Sequence, residues 1–74
     1  MLNIITEQRE AIINVYIYSS LIRIEAYYFD TDLSIRDLEA VRVIPDTINE
    51  ALEAYAYNNN IDLENSEITY INMI

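Results

Sequence analysis

Most of the ionisable side chains of this chain that could take part in catalysis or ligand binding are carboxylates. Its 74 residues include thirteen Asp and Glu and only four cationic side chains, all Arg, with no His and no Cys. Without His or Cys, the chain has no imidazole base, no thiol nucleophile and no soft ligand for structural zinc. It also has no Gly, which excludes the phosphate-binding loop and the dinucleotide fingerprint, because both need glycine where the backbone approaches phosphate.

A carboxylate pair or a carboxylate-bound magnesium ion is the chemistry that remains, and no spacing typical of either is present. Asp30, Asp32 and Ser34 copy the first three ligand positions of a calcium loop. Ile35, however, stands where that loop needs Gly, and Val41 stands where it needs Glu. We interpret this stretch as a solvated turn. The sequence therefore predicts a protein that is not an enzyme and that uses no cofactor or metal.

The charge balance points to a binding role. The formal net charge is −9, yet 53% of the residues are hydrophobic, so the chain can build a core and display its carboxylates from a folded surface. Those carboxylates could serve solubility alone. They could instead imitate the phosphates of a nucleic acid and dock into a basic groove. The absence of Lys favours the second interpretation, because solubility is ordinarily achieved with charges of both signs.

Size and composition bound the organisation of the protein. Residues 1–74 predict one domain, which is small enough to bury only about 60% of its unfolded surface. Because no disulfide or His-Cys metal site can support it, we expect self-association, as a homodimer. The N-terminus lacks the pattern of a signal peptide and no apolar run reaches about 18 residues, so we expect a cytoplasmic protein. Direct binding to nucleic acid or to an anionic membrane is not expected with so few cations.

The first half of the chain predicts strands. Residues 11–29 are rich in β-branched and aromatic side chains and indicate two strands joined at Ser19 and Ser20. Alternation places two sets on one face of their strands: Ile13, Val15 and Ile17, then Ile22, Ile24, Ala26 and Tyr28. Two serines make a poor hairpin turn. The alternative is a helix over residues 6–18, with Thr6 as N-cap, and a single strand from Leu21.

The second half predicts a loop, a strand, a helix and a last strand. Residues 30–37 have turn chemistry, and residues 39–44 predict a short strand closed by Pro45. Residues 47–58 predict a helix in which Thr47 and Glu50 have the spacing of a capping box. The three asparagines at 58–60 should end it, because Asn tolerates the left-handed conformation. Residues 67–72 alternate as a strand with Ile68, Tyr70 and Asn72 on one side.

The predicted fold class is α+β, with two layers. We expect a mostly antiparallel sheet of three to four strands packed by one or two helices, in the order β-β-β-α-β or α-β-β-α-β. Without Lys to protect its edges, the sheet should pair with a second copy or with a partner strand.

The sequence also predicts which tyrosines are exposed and which arginines form ion pairs. Tyr57 and one of Tyr27 or Tyr28 should be exposed, where Tyr favours protein interfaces. We expect three of the arginines to pair with neighbouring carboxylates: Arg23, Arg36 and Arg42.

Small size, strong acidity, the lack of Cys and a composition rich in Ile, Asn and Tyr resemble those of inhibitors encoded by phages and mobile elements. These include anti-CRISPR proteins, anti-restriction proteins and inhibitors of DNA-repair enzymes. The resemblance is one of composition, and it implies a protein that occupies the DNA or RNA site of a basic host protein such as a CRISPR effector, restriction enzyme or repair enzyme. The alternative is a dimeric structural or regulatory interaction module whose acidity serves solubility. The residues expected to contact the partner are Asp30, Asp32, Asp37, Glu39, Glu50, Glu53, Asp62, Glu64 and Tyr57.

Overall fold

The fold is a four-stranded sheet with one α-helix. The computed structural model describes residues 8–31, 36–42 and 47–73. Its elements in chain order are β1 (Ala11–Ile17), β2 (Ile22–Tyr28), β3 (Arg36–Val41), α1 (Ile48–Asn58), a 3₁₀ turn (Leu63–Asn65) and β4 (Glu67–Asn72). The strand order is β3-β2-β1-β4, antiparallel except for the parallel pair of β1 and β4. The α+β prediction is confirmed. Among the residues described, no helix has both the length and the apolar character needed to cross a membrane.

The hairpin of β1 and β2 forms as predicted. Ile17 pairs with Ile22 at its closed end, and the Tyr18 N–H donates to the Leu21 carbonyl at 2.9 Å across Ser19 and Ser20. The helix considered for residues 6–18 is wrong for the described part of that range, because residues 11–17 are strand. Cross-strand pairs between β-branched and aromatic side chains stabilise the extended form here.

The core lies between α1 and one face of the sheet, the face that alternation predicts. Its buried members are Ala11, Ile13, Val15, Ile22, Ile24, Ala26, Tyr28, Leu52, Tyr55, Ala56 and Ile61. Burial of each large aliphatic side chain contributes about 1.5–3 kcal/mol. The helix covers this face only, and the other face of the sheet is left without a helical layer among the described residues.

Strand β3 begins earlier than predicted. Arg36 and Asp37 were expected in a loop over residues 30–37, but they pair with Tyr27 and Ala26 of β2. The neighbouring strand supplies hydrogen bonds that local turn propensity does not reflect. The strand ends at Val41, so Arg42, predicted as strand, lies beyond it. Residues 43–44 of the predicted strand and Pro45 lie outside the described residues.

Helix α1 agrees with its prediction over residues 47–58, but its first turn does not form a capping box. Thr47 is the N-cap residue, and its side chain makes no capping hydrogen bond. Its φ of −107° and ψ of 11° differ from the extended conformation that directs an N-cap oxygen towards the first turn.

The C-terminus of α1 follows the asparagine prediction closely. Asn60 has a φ of 56°, the left-handed conformation. The Ile61 N–H donates to the Ala56 carbonyl at 2.8 Å and the Asn60 N–H donates to the Tyr57 carbonyl at 3.4 Å. These two bonds form a Schellman motif, and the buried Ile61 supplies its apolar contact.

The left-handed residue gives a stability test. Asn60→Gly and Asn60→Ala both remove the side chain, so the difference between them isolates the backbone conformation. We expect the Ala variant to be less stable than the Gly variant by about 1 kcal/mol, because a β-carbon is disfavoured at positive φ. Chemical denaturation followed by circular dichroism measures this difference. Equal stability of the two variants would show that residue 60 does not hold this conformation in solution.

Candidate functional site

The outward side of α1 gathers three of the residues expected to contact a partner. Glu50, Glu53 and Tyr57 are spaced by three and four residues, so they lie on one stripe of the helix. All three are exposed, and Tyr57 retains 86% of its accessible surface. The opposite side of the helix carries the buried Leu52 and Tyr55. We call Glu50, Glu53 and Tyr57 the outer stripe.

No cation offsets the charge of the outer stripe from within its own helix, since α1 contains no Arg. The described residues contain two ion pairs, Arg9 with Asp30 and Arg36 with Glu25. Neither pair involves the outer stripe. Within the described part of the chain, its two carboxylates therefore have no ion-pair partner and lie beside an exposed aromatic ring.

Two further predicted residues, Asp37 and Glu39, lie on β3. Their register against Ala26 and Ile24 places them on the side of the sheet that α1 covers. Glu39 is exposed.

Asp37 is exposed, yet its carboxylate is hydrogen-bonded within the protein. Its Oδ2 accepts hydrogen bonds from the hydroxyls of Tyr28 at 3.2 Å and Tyr55 at 3.1 Å. Burial raises the pKa of the Tyr28 hydroxyl. The pKa of the Tyr55 hydroxyl is also raised, mainly by burial and secondly by its hydrogen bond with Tyr28. Both hydroxyls thus stay protonated as donors at neutral pH, and Asp37 links β2, β3 and α1.

Asp30 and Asp62 line the same cleft at one end of the sheet, beside Arg9. The cleft has a volume of about 510 Å³, and its lining residues are Gln8, Arg9, Glu10, Phe29, Asp30 and Asp62. The Arg9 guanidinium lies 3.6 Å from the centre of the Tyr28 ring. Its Nε is 3.4 Å from Asp30 Oδ1 but forms no hydrogen bond, so the contact is ionic without hydrogen-bond geometry.

The last predicted carboxylates differ in their surroundings. Asp62 Oδ2 accepts a hydrogen bond from the Asn65 amide at 2.7 Å, across the 3₁₀ turn that holds the exposed Glu64. Asp32 lies outside the described residues, as do Ser34 and Ile35 of the calcium-loop pattern. No group of three or more acidic side chains among the described residues is placed to hold a metal ion.

The structure contains one polar cluster that was not predicted as a site. Glu25 is only 4% exposed although it lies on the sheet face that α1 leaves uncovered. Its Oε1 accepts hydrogen bonds from the Asn14 amide at 3.0 Å and the Tyr16 hydroxyl at 2.8 Å, and its Oε2 accepts one from Arg36 Nη1 at 3.0 Å. The hairpin register, which pairs Asn14 with Glu25, is the signal that could have revealed this cluster.

Glu25 is held as an ionised carboxylate. Burial by itself raises the pKa of this carboxyl, but the hydrogen bonds from Asn14, Tyr16 and Arg36 outweigh it and bring the pKa below its ordinary value. The hydrogen bond to Glu25 in turn raises the pKa of the Tyr16 hydroxyl and that of Arg36. Removing one partner from such a buried, hydrogen-bonded pair is destabilising, because it leaves a buried charge without compensation.

The arginine and tyrosine expectations have mixed outcomes. Arg36 pairs with a carboxylate as expected. Arg23 forms no ion pair among the described residues and lies 5.9 Å from the centre of the Tyr18 ring. Tyr57 is exposed as predicted, but Tyr28 is buried and Tyr27 is half-buried, because alternation directs the first into the core and the second onto the open side of the sheet.

Acid titration tests the Glu25 cluster. A carboxyl whose pKa is lower in the folded state contributes stability above its unfolded pKa, and that contribution disappears as the pH falls through the folded value. We expect Glu25→Gln to reduce the free energy of unfolding by about 2 kcal/mol at pH 7, because its partners lose a charged acceptor. The deficit relative to the wild type should shrink between about pH 5 and pH 3.

Glu39→Gln is the matched control, because Glu39 is an exposed strand carboxylate. It should change stability by less than about 0.5 kcal/mol at any of these pH values. Denaturant melts at several pH values measure both variants. A Glu25→Gln deficit that stays constant down to pH 3 would contradict an ionised, stabilising Glu25.

Comparison with known proteins gives no relative from which a function could be transferred. The chain matches no protein-family model, no curated protein and no solved structure. The functional argument therefore depends on the residues and their geometry.

Proposed function

We propose that this protein is a non-enzymatic inhibitor that binds a basic nucleic-acid-handling protein, with the outer stripe of α1 at the centre of the contact. The observation that carries the proposal is the uncompensated charge of this stripe. Glu50 and Glu53 lie on a helix without cations, two turns and one turn respectively from the exposed ring of Tyr57.

The charge balance of the whole chain supports a long-range attraction to a basic partner. Thirteen carboxylates face four arginines, so a net charge of −9 persists however the ion pairs are arranged. A surface potential of one sign accelerates association with a partner of the opposite sign and weakens with added salt. The same potential repels nucleic acid itself, and the proposed target is therefore the protein that binds nucleic acid.

The helix spacing suits phosphate imitation. Residues three apart on a helix are separated by about 4.5 Å along its axis, comparable with the roughly 3.4 Å per phosphate along one strand of DNA. Tyr57 adds an aromatic surface, which can contribute binding energy at the centre of an interface. A rigid helix holds these groups in place before binding, which limits the entropy lost on association.

The remaining predicted residues divide into two groups. Glu39 and Glu64 are exposed and extend the acidic surface beyond the stripe. Asp30, Asp37 and Asp62 are engaged with other side chains of the protein, and we assign them to the scaffold that supports the stripe.

Competition with DNA tests the proposal. Nucleic-acid-binding proteins captured from a host lysate on the immobilised protein are purified, and displacement of a labelled DNA duplex from each is followed by fluorescence polarisation. We expect the wild type to displace the duplex, with affinity falling at least about tenfold between 50 and 300 mM salt. Glu50→Gln with Glu53→Gln should weaken displacement by about tenfold, since two charged contacts are lost.

Glu10→Gln is the matched control for the single variants Glu50→Gln and Glu53→Gln, which should each weaken displacement about threefold. It removes the same charge from one exposed carboxylate outside the stripe, and it should change displacement less than about twofold. Equal effects of the three single variants, or displacement that does not respond to salt, would refute the stripe as the contact. Capture that recovers only the protein itself would favour the alternative of a dimeric interaction module.

A further inference from the structure

The side of the sheet opposite α1 forms a surface of its own, which we call the open face. Within the described residues, α1 and the 3₁₀ turn pack on the other side, and Leu38 on the open face is 41% exposed. The strand residues of the open face, from the pairing registers, are Ile12, Asn14, Tyr16, Arg23, Glu25, Tyr27, Arg36, Leu38, Ala40, Glu67, Thr69 and Ile71.

The open face differs from the rest of the protein in charge. It carries two arginines, Arg23 and Arg36, and two glutamates, Glu25 and Glu67, so its formal net charge is zero. The whole net charge of −9 therefore belongs to residues outside the open face. A second copy of this acidic chain would meet no net charge from the strand residues of this face.

The open face also arranges its charges in a self-complementary way. The registers align Arg36, Tyr27, Ile12 and Glu67 in one row across the four strands. This row begins with a cation on the edge strand β3 and ends with an anion on the other edge strand, β4. If a second copy of this row is rotated by 180° and laid face to face on the first, the cation of each copy lies opposite the anion of the other.

We propose that the protein forms a homodimer through its open face, with a two-fold axis parallel to the strands. Such an axis lays β3 of one copy over β4 of the other. It brings Arg36 opposite Glu67 of the second copy, and by symmetry it does so twice. Sheets that pack face to face keep their strands within about 30° of parallel and lie about 10 Å apart, which suits this arrangement.

Two further rows of open-face residues cross the four strands, and the same two-fold axis lays each of them over the corresponding row of the second copy. Residues of β1 lie over those of β2, so Asn14 faces Glu25 and Tyr16 faces Arg23, an arrangement that permits a cation–π contact. Glu25 already accepts three hydrogen bonds within its own chain, one of them from Arg36. It can therefore be covered by a second copy without leaving an uncompensated charge.

The size of the open face indicates a dimer of moderate affinity. Four strands at about 4.8 Å spacing and roughly 20 Å in length present a projected area of about 400 Å². This lies below the roughly 800 Å² per partner of standard stable interfaces. We therefore expect a dimer that dissociates in the micromolar range.

Sedimentation equilibrium across about 5 to 500 µM protein tests the dimer, with circular dichroism to verify that each variant folds. Glu67→Arg places an arginine opposite Arg36 twice per dimer and should weaken dimerisation at least about tenfold. Glu53→Arg makes the same charge change on the outer stripe, in the other layer, and should leave the dimer no weaker. Leu38→Glu, a second substitution on the open face, should also weaken it.

Three results would overturn the proposal: a wild-type monomer at 500 µM, a dimer unaffected by Glu67→Arg and Leu38→Glu, or equal weakening by Glu53→Arg. A dimer that survives both open-face substitutions would be joined elsewhere on the protein, such as at a sheet edge. The outcome is separable from the inhibitor proposal, because Glu50→Gln with Glu53→Gln should reduce displacement of DNA and leave the dimer intact.

Discussion

The register of the β1–β2 hairpin is the constraint on which the other features depend. With Ile17 opposite Ile22 and Ile13 opposite Ala26, the aliphatic side chains of both strands share the face that α1 covers. A shift of one residue would move that whole set to the other side of the sheet. The same register places Asn14 opposite Glu25, so one pairing decides both the apolar core and the polar cluster on the open face.

This register separates the protein into two surfaces of different character. Two of the four arginines form ion pairs at the sheet. Arg36 pairs with Glu25, and Arg9 pairs with Asp30 while its guanidinium lies against the ring of Tyr28. Neither arginine contacts the exposed side of α1, whose carboxylates form no ion pair among the described residues. The open face, by contrast, carries equal numbers of cations and anions. The proposed contacts with a basic target and with a second copy therefore use opposite sides of the molecule.

Local patterns predicted the elements whose side chains follow a clear period, even where the partner strand is distant in sequence, as β1 is for β4. The hairpin, α1, its end at the asparagines and β4 all follow from periodicity or from the conformational tolerance of Asn. The start of β3 was missed because Arg36 and Asp37 have the composition of a turn and become strand through pairing with β2. The capping box was wrong because spacing does not specify the backbone conformation of Thr47. Of the candidate site residues, Glu50, Glu53 and Tyr57 could be placed on one stripe from helical periodicity alone, whereas the engagement of Asp37 by two tyrosines could not.

The amino-acid sequence by itself determined the excess of negative charge, the alternation of the strands and the class of the fold, since these depend on composition and on contacts along the chain. Tertiary structure decided which carboxylates are engaged and which remain uncompensated. Glu25 is buried because β1 and β3 bring Asn14, Tyr16 and Arg36 to it, and Asp37 is held because α1 carries Tyr55 over β3. The electrostatic state of a carboxylate depends on donors and cations within a few ångströms, and those neighbours come from distant parts of the chain.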